Sequence, residues 1–353
     1  MTTRIAIAGL GLMGRRYADI VAGWANSGLV DVALAGAVDR AAEARDWWDC
    51  GPGRAAATPA VEGVDRLDWS GVDVLVVALP DDAHTEVARE GFRRGCAVLV
   101  EKPLATDPAE ARSIRDAAVH AGKPLGLGNL LRFDPRYAEA ATEVRRGRIG
   151  EVVQLSARRF SAIGAAARYG SSTALPWHVS WHDVDQVVAI TGRRVVEVHA
   201  RGRSRALADL GHWDSLAALL VLDDQTPAVI ESGWTLPGHL AASIDSRLEI
   251  VGTDGAITVH GRDEGLRIVD ADATRHPDVL RHHDHGVAPG GALARLLFDF
   301  VARVRAAGDG DAAAAETLDV QAADAVHVTA VVAALDESLR TGGPITTDQG
   351  GNQ

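Results

Sequence analysis

Cysteine is nearly absent: the 353 residues contain two, Cys50 and Cys96, each in a different expected element. Two thiols so placed build neither a disulfide framework nor a zinc ribbon, and a reducing, cytoplasmic compartment fits. Basic charge is in deficit, with 36 Lys and Arg against 48 Asp and Glu and a formal net charge of -12. Nucleic-acid affinity rests largely on Lys and Arg neutralising phosphates, and no basic run gathers enough of them, so no nucleic-acid partner is expected. Long apolar runs are missing too. The first apolar segment, Ile5 to Gly11, is too short and too glycine-rich for a signal sequence or a span, and no later stretch reaches about 18 uninterrupted apolar residues, so neither export nor a membrane is expected. Aromatics are sparse at 5%, yet hydrophobic residues reach 47% and charged residues 24%. That is the balance of an ordinary globular protein, and at this length two domains are the default.

The first third alternates short β-branched runs with longer amphipathic ones. Strands are expected at Arg4 to Ala8, Val32 to Val38, Val72 to Ala78, Cys96 to Val100 and Leu125 to Gly128, with helices at Met13 to Ala25, Ala41 to Asp49, Ala83 to Arg94 and Pro108 to Ala121. Strands without polar alternation imply burial on both faces, as in a parallel sheet flanked by helices. After Asn129 the pattern changes. A helix at Asp134 to Arg146 leads to a strand at Val152 to Phe160 and a helix over Trp177 to Ile190. Strands follow near Val195 to Arg203, Ser215 to Leu222, Ala228 to Leu236, Ser246 to Val251 and Ala256 to His260. Short turns between them favour an antiparallel or mixed sheet. The fold class is therefore α/β: a Rossmann dinucleotide-binding domain over residues 1–126 and an α+β domain over 127–353 with a large, mainly antiparallel open sheet. Helices near Ala292 to Ala307 and Val320 to Arg340 close the chain, the last able to pack back on the first domain. Gly308 to Ala315 reads as a surface loop and Asp348 to Gln353 as a frayed tail.

Gly9-Leu10-Gly11-Leu12-Met13-Gly14 directly follows the first strand and opens the first helix. In that context the three glycines serve the tight turn, the approach of backbone to pyrophosphate, and close helix–strand packing. The phosphates then meet unpaired N–H groups at a helix N-terminus. Asp39 ends the second strand, where an acid accepts hydrogen bonds from an adenosine ribose and repels a 2′-phosphate, pointing to NAD(H) rather than NADP(H). Arg40 leaves the choice open, since it can stack on adenine or pair with a 2′-phosphate, and Asp39 also reads as a strand-ending turn residue.

Leu79-Pro80 after the third strand, His84 opening the next helix, and Glu101-Lys102-Pro103 ending the fourth strand together resemble the Gfo/Idh/MocA family of oxidoreductases. The resemblance continues through Asn129, Arg132, Phe133 and Pro135, Ile149-Gly150-Glu151-Val152, Trp181-His182-Asp183-Val184-Asp185 and the Ile250 to Gly255 turn. It implies cofactor contacts at Leu79, Pro80, His84, Glu101, Lys102 and Asn129 beside those of Gly9 to Gly14, Asp39 and Arg40. It also implies a catalytic Lys102 near the nicotinamide and His182 as general base on an alcohol, a task suited to an imidazole whose ordinary pKa is about 6.5. Taken alone, Glu101-Lys102 reads as a surface ion pair and His182 as a structural histidine. Substrate contacts are expected at Lys102, Arg132, Trp177, His178 and His182, with Arg158, Arg159, Arg168, Tyr169 and Trp181 as further candidates for a polyol pocket.

Many relatives carry aspartate where this chain has His178, which shares one helix face with His182 by i, i+4 spacing. The implied function is hydride transfer between NAD(P) and a secondary alcohol of a sugar, nucleotide sugar, cyclitol or related polyol, at an active site between the domains. Alternatives are imine or enone reduction using Lys102, and a non-catalytic NAD(P)-binding regulator. No metal is expected, although the histidine pair with Asp183, Asp185 or the His282 to His285 cluster is a conceivable site. Self-association to a homodimer or homotetramer through the broad sheet is implied by the family.

Overall fold

The unbroken apolar runs of the first third become strands with no face left to solvent. β1 (Thr3–Ala8), β2 (Val32–Val38), β3 (Ala60–Val61), β4 (Val74–Val77), β5 (Ala97–Val100) and β6 (Leu125–Leu127) form a parallel sheet in the order β3-β2-β1-β4-β5-β6. Ile5 to Ala8 and Val74 to Val77 are 0% exposed, because helices cover both faces. Those helices are α1 (Leu12–Ser27), α2 (Ala42–Cys50), the short α3 (Pro52–Ala56), α4 (His84–Arg93) and α5 (Pro108–Ala121). Strand order reverses between β1 and β4, so the crevice outside their carboxyl ends is the ligand edge of the sheet. α5 shows how locally its bounds are set: Asp107 Oδ1 accepts from the N–H groups of Ala109 and Glu110 at 2.6 and 3.1 Å, Pro108 occupies the first turn, and Gly122 ends the helix at φ 60°.

The computed structural model describes residues 2–169, 173–238, 244–261, 268–269, 274–275, 280, 283–285 and 288–347, and the chain divides into two units, 1–130 with 281–326 and 131–280 with 327–353. The expected tail at 348–353 and His282 lie outside the described residues, as do the side chains of Arg168, Tyr169 and His283 to His285.

In the second unit α6 (Pro135–Arg145) leads to β7 (Val152–Ala162), α7 (Ile163–Tyr169), α8 (Trp181–Thr191), β8 (Val195–Arg203), β9 (Ser215–Leu222), β10 (Pro227–Leu236), β11 (Ile244–Gly252) and β12 (Ala256–His260). Two short ladders, β13 (Ile268–Val269) with β14 (Thr274–Arg275) and β15 (His283–His285) with β16 (Ala288–Gly290), precede α9 (Ala292–Gly308), α10 (Ala312–Thr341) and β17 (Ile345–Thr346). The large sheet runs β12-β11-β7-β10-β9-β8-β17 and is antiparallel except where β7 meets β10. Period-two alternation gives it one packed face: Leu216, Ala218, Leu220 and Leu222 of β9 are buried, while Leu219 between them is 41% exposed.

Two expectations change. α10 begins at Ala312, so the loop shrinks to Asp309, Gly310 and Asp311, because Asp311 Oδ1 accepts from the N–H groups of Ala313 and Ala314 and starts the helix within the alanine run. The helix expected from Trp177 is α-helical only from Trp181. Pro176 to Ser180 are wound wider, with the N–H of Trp181 reaching the Pro176 carbonyl five residues back. Finally, α10 is long and apolar enough to cross a membrane by length and composition, but Ala325, Val328, Val331, Val332 and Leu335 are 0% exposed within the protein.

Candidate active site

In the first unit the glycines are required by contact as well as by motif. Gly9 has φ +95°, and a Cβ on it would lie 2.3 Å from the Ala78 carbonyl oxygen; one on Gly14 would lie 1.8 Å from the Gly9 carbonyl oxygen. A Cβ on Gly11 meets nothing within 4 Å. Strand, turn and helix thus close on one another at the outer glycines, while the middle one faces open space at the start of α1, where a pyrophosphate fits. Leu12 is 56% exposed beside it, and Met13 is half-buried. Asp39 also shapes the loop, its Oδ2 accepting the Leu10 N–H at 2.7 Å and its Oδ1 the Ala41 N–H at 2.8 Å. The exposed Arg40 is anchored only through its carbonyl, which accepts from Arg45.

His84 is not presented to a ligand. It is 0% exposed, with Nδ1 2.8 Å from the Pro103 carbonyl oxygen and Nε2 2.9 Å from that of Leu79. The ring therefore ties the exit of β4 to the exit of β5, beneath the half-buried Lys102 and its cis bond to Pro103. Glu101 likewise turns inward. Its Oε1 accepts from the Tyr17 hydroxyl at 2.7 Å and its Oε2 from the Lys102 N–H at 3.2 Å. Its carboxyl fills the space over Gly128, where a Cβ would come within 2.8 Å. Burial raises the pKa of Glu101 above the usual carboxylate range, against the pull of Tyr17 and Lys102, and raises Tyr17 together with the Glu101 charge. Asn129 is buried at the end of β6. Pro80 is exposed and Leu79 half-buried. Sequence reasoning missed Tyr17, whose only signal was its place one helical turn after Gly14 on the inward face of α1.

In the second unit, α8 carries the other group. His182 is half-buried, and the two acids after it are committed to arginines. Arg159 holds Asp183 through Nε at 3.1 and 3.2 Å and Nη2 at 2.8 Å, both residues being buried. Arg132 forks onto Asp185 with Nη2 at 2.6 Å. Burial works against the Arg159 charge, and Asp183 beside it outweighs that, so the guanidinium keeps its proton more firmly than usual. Arg132 and Arg159 thus brace α8 rather than standing open to a substrate. Arg158 pairs with Glu231 and Asp245 at 3.8 and 3.7 Å and stacks on Phe160. Trp181 is core at 0% exposure, and Trp177 is buried.

The wide turn alters the expected pairing of His178 with His182, since one uniform α-helical face does not run through both. His178 is half-buried against Trp234, with ring centroids 5.8 Å apart. Asp183 and Asp185, considered as metal ligands, are held by arginine, and among the described residues no group of three or more His, Cys, Asp and Glu could hold a metal ion. Both cysteines are free; burial pushes the Cys96 thiol up to about 11.

A family model described as an oxidoreductase family with an NAD-binding Rossmann fold, GFO/IDH/MocA, matches residues 3–129, and the GFO/IDH/MocA C-terminal domain matches 137–258. The chain is 30% identical over 267 residues to inositol 2-dehydrogenase 2 of Saccharopolyspora erythraea, an alignment covering 74% of each chain. It is 32% identical over 207 residues to the myo-inositol dehydrogenase Hyg17 of Streptomyces leeuwenhoekii, spanning 57% of this chain and 62%, under two thirds, of that protein's length. Its fold is similar to the crystal structure of scyllo-inositol dehydrogenase from Lactobacillus casei with bound NAD(H) and scyllo-inositol, at TM-score 0.77, 22% identity and coverage of 98% and 99% of the two chains.

Proposed function

The chain belongs to the GFO/IDH/MocA oxidoreductase family, matched over both its Rossmann and its C-terminal parts, and from that premise we propose that it is an NAD-dependent dehydrogenase of secondary alcohols on cyclitols or related polyols. The observation that carries the reading is the glycine cradle, closed at Gly9 and Gly14 and open at Gly11, immediately ahead of a helix N-terminus. A nicotinamide dinucleotide held there supplies a hydride acceptor. Lys102 is the residue we assign to the substrate oxygen, its ammonium donating a hydrogen bond that steadies charge as the carbonyl forms. The turn beneath it is fixed by His84 and by the Tyr17–Glu101 pair. His182 is assigned the hydroxyl proton, because an imidazole takes and returns a proton near neutral pH. The cofactor contacts we assign are Gly9, Gly11, Leu12, Met13, Gly14, Asp39, Arg40, Leu79, Pro80 and Asn129.

NAD over NADP is favoured by the Asp39 carboxylate at the end of β2. It accepts two backbone N–H bonds that hold it in place, where a 2′-phosphate would have to sit beside it. The inositol dehydrogenases to which the chain is similar support the polyol class, and the sheet of the second unit, with apolar Leu219, Val153 and Val251 exposed, supports self-association. The test is reduction of NAD by the purified protein across a panel of cyclitols and sugars, with Lys102→Ala beside it. Turnover with at least one polyol, lost in the variant while NAD still binds, is expected. Turnover only with imines, or none in either protein, refutes the assignment.

A further inference from the structure

Leu10 is the middle link of the glycine turn, and both of its main-chain groups are held by side chains. Its N–H donates to Asp39 Oδ2 at 2.7 Å, and its carbonyl oxygen accepts from Arg15 Nε at 2.9 Å. Arg15 is half-buried on α1, and its guanidinium carbon stands 4.8 Å from the ring centroid of the half-buried Trp47 on α2. A second arm comes from the same helix: Arg45 Nη1 donates to the carbonyl oxygens of Asp39 at 2.8 Å and Arg40 at 2.7 Å. α2 therefore reaches the cradle twice, at the end of β2 and, through Arg15, at Leu10. Neither Arg15 nor Trp47 belongs to the glycine motif itself.

The Leu10 carbonyl and the Gly11 N–H belong to one trans peptide, which is planar, so the two groups point in opposite directions. Drawing the carbonyl toward Arg15 aims the Gly11 N–H the other way. That N–H has no hydrogen-bond partner among the described residues, and the space where a Gly11 Cβ would stand is open, so the group is left to meet an anion ahead of the helix N-terminus. The same glycine makes this peptide easy to turn over, because a residue without Cβ tolerates either orientation. Arg15 answers that freedom. Its Nε bond holds the carbonyl while the flat guanidinium rests on the indole, a pair of tasks that the point charge of a lysine does not perform together.

We propose that Arg15, seated on Trp47, is a positioning residue that sets the Leu10–Gly11 peptide with its N–H toward the cofactor's pyrophosphate. This rests on the dinucleotide half of the reading above. Titration calorimetry on the full chain measures the affinity of NAD, ADP and adenosine, beside a melt of each variant without ligand and the KM and kcat of turnover. Arg15→Met keeps the stem and removes the guanidinium. It should weaken NAD and ADP about tenfold and leave adenosine, which has no phosphate, at its wild-type affinity, with KM for NAD raised and kcat kept. Trp47→Leu should weaken both about threefold, Trp47→Phe should recover most of that loss, and Trp47→Leu added to Arg15→Met should change nothing further. Arg15→Lys keeps the charge without the planar group, so its affinity should stay low, and it carries the test if Arg15→Met melts low. Wild-type affinity in Arg15→Met or Arg15→Lys, a Trp47→Leu loss that Trp47→Phe does not recover, or equal weakening of adenosine and ADP overturns the proposal. Wild type that binds NAD and oxidises no polyol refutes the dehydrogenase reading alone. Wild type that binds neither NAD nor ADP refutes the cradle reading and this inference with it.

Discussion

Alanine at Gly11 and at Gly14 should separate cofactor binding from folding. At Gly14 the added methyl lands 1.8 Å from the Gly9 carbonyl oxygen and 2.8 Å from its carbon. These are backbone atoms of the β1–α1 turn, with no flexible side chain to move aside, so helix and strand must part. Overpacking of this kind costs about 3 kcal/mol or more. At Gly11 the methyl meets nothing within 4 Å, and φ is -71°, a value alanine adopts freely. Losing glycine at the helix cap costs a few tenths of a kcal/mol, and the stiffer unfolded chain offsets about as much, so stability should change by under about 1 kcal/mol. On the proposed cofactor assignment, that same methyl occupies the space through which the backbone approaches pyrophosphate. Loss of one or two charge-assisted N–H bonds, about 1.5–3 kcal/mol each, weakens NAD binding at least tenfold. The assay is a thermal melt of each variant without cofactor, followed by NAD titration read by tryptophan fluorescence. Gly14→Ala should melt well below wild type and Gly11→Ala close to it, while Gly11→Ala should need far more NAD. A Gly11→Ala protein that binds NAD normally, or that melts as low as Gly14→Ala, refutes the reasoning.

Two further outcomes test the interior. His327, on α10, is 3% exposed and lies against Arg194 and the Val195 N–H; burial first and the Arg194 charge second hold its pKa down to about 4 from the ordinary 6.5. The folded state resists the proton that the unfolded chain accepts. Stability from this group is therefore complete above pH 6.5 and falls as the pH drops toward 4, by up to about 3 kcal/mol. Urea titrations across that window should show the slope, and His327→Gln should flatten it; an equal slope in the variant would dismiss the residue as its source. Tyr17→Phe removes the hydroxyl that bonds the buried Glu101, so the urea midpoint should fall by an amount equivalent to about 1–3 kcal/mol with the slope of the transition unchanged. An unchanged midpoint would mean that Glu101 is solvated or protonated without that bond.

What was legible in the chain depended on whether its cause was local. The passage from β1 to α1 could be read residue by residue, because a turn at Gly9, an approach at Gly11 and a packing contact at Gly14 each demand glycine at a fixed offset from the strand. The doubly buried strands were legible for a similar reason: Val74 to Val77 has no polar residue with which to face water. Lys102 and His182 were different. Nothing in their neighbours distinguishes a reactive lysine from a paired one, and they were found by resemblance. The start of α10 was misplaced because Asp311 acts through two backbone N–H bonds that a run of alanines does not advertise, and the wide turn at Pro176 to Ser180 because one extra residue per turn leaves the apolar pattern nearly intact.

Least legible were the groups defined by strand register. Ser161, His212 and Trp234 are distant in sequence, and they fall in one region because β7 runs parallel to β10 while β9 turns back against it. The cofactor half is specified by contacts too tight to vary, so freedom to change substrate lies in the second unit, on side chains that the sheet gathers and the backbone does not constrain. His178 sits in the one turn of its helix that departs from α winding and touches the one buried tryptophan among the described residues whose donor is unanswered. A side-chain change is therefore more readily accommodated at that contact than at Gly14, where an added methyl alone would break the fold.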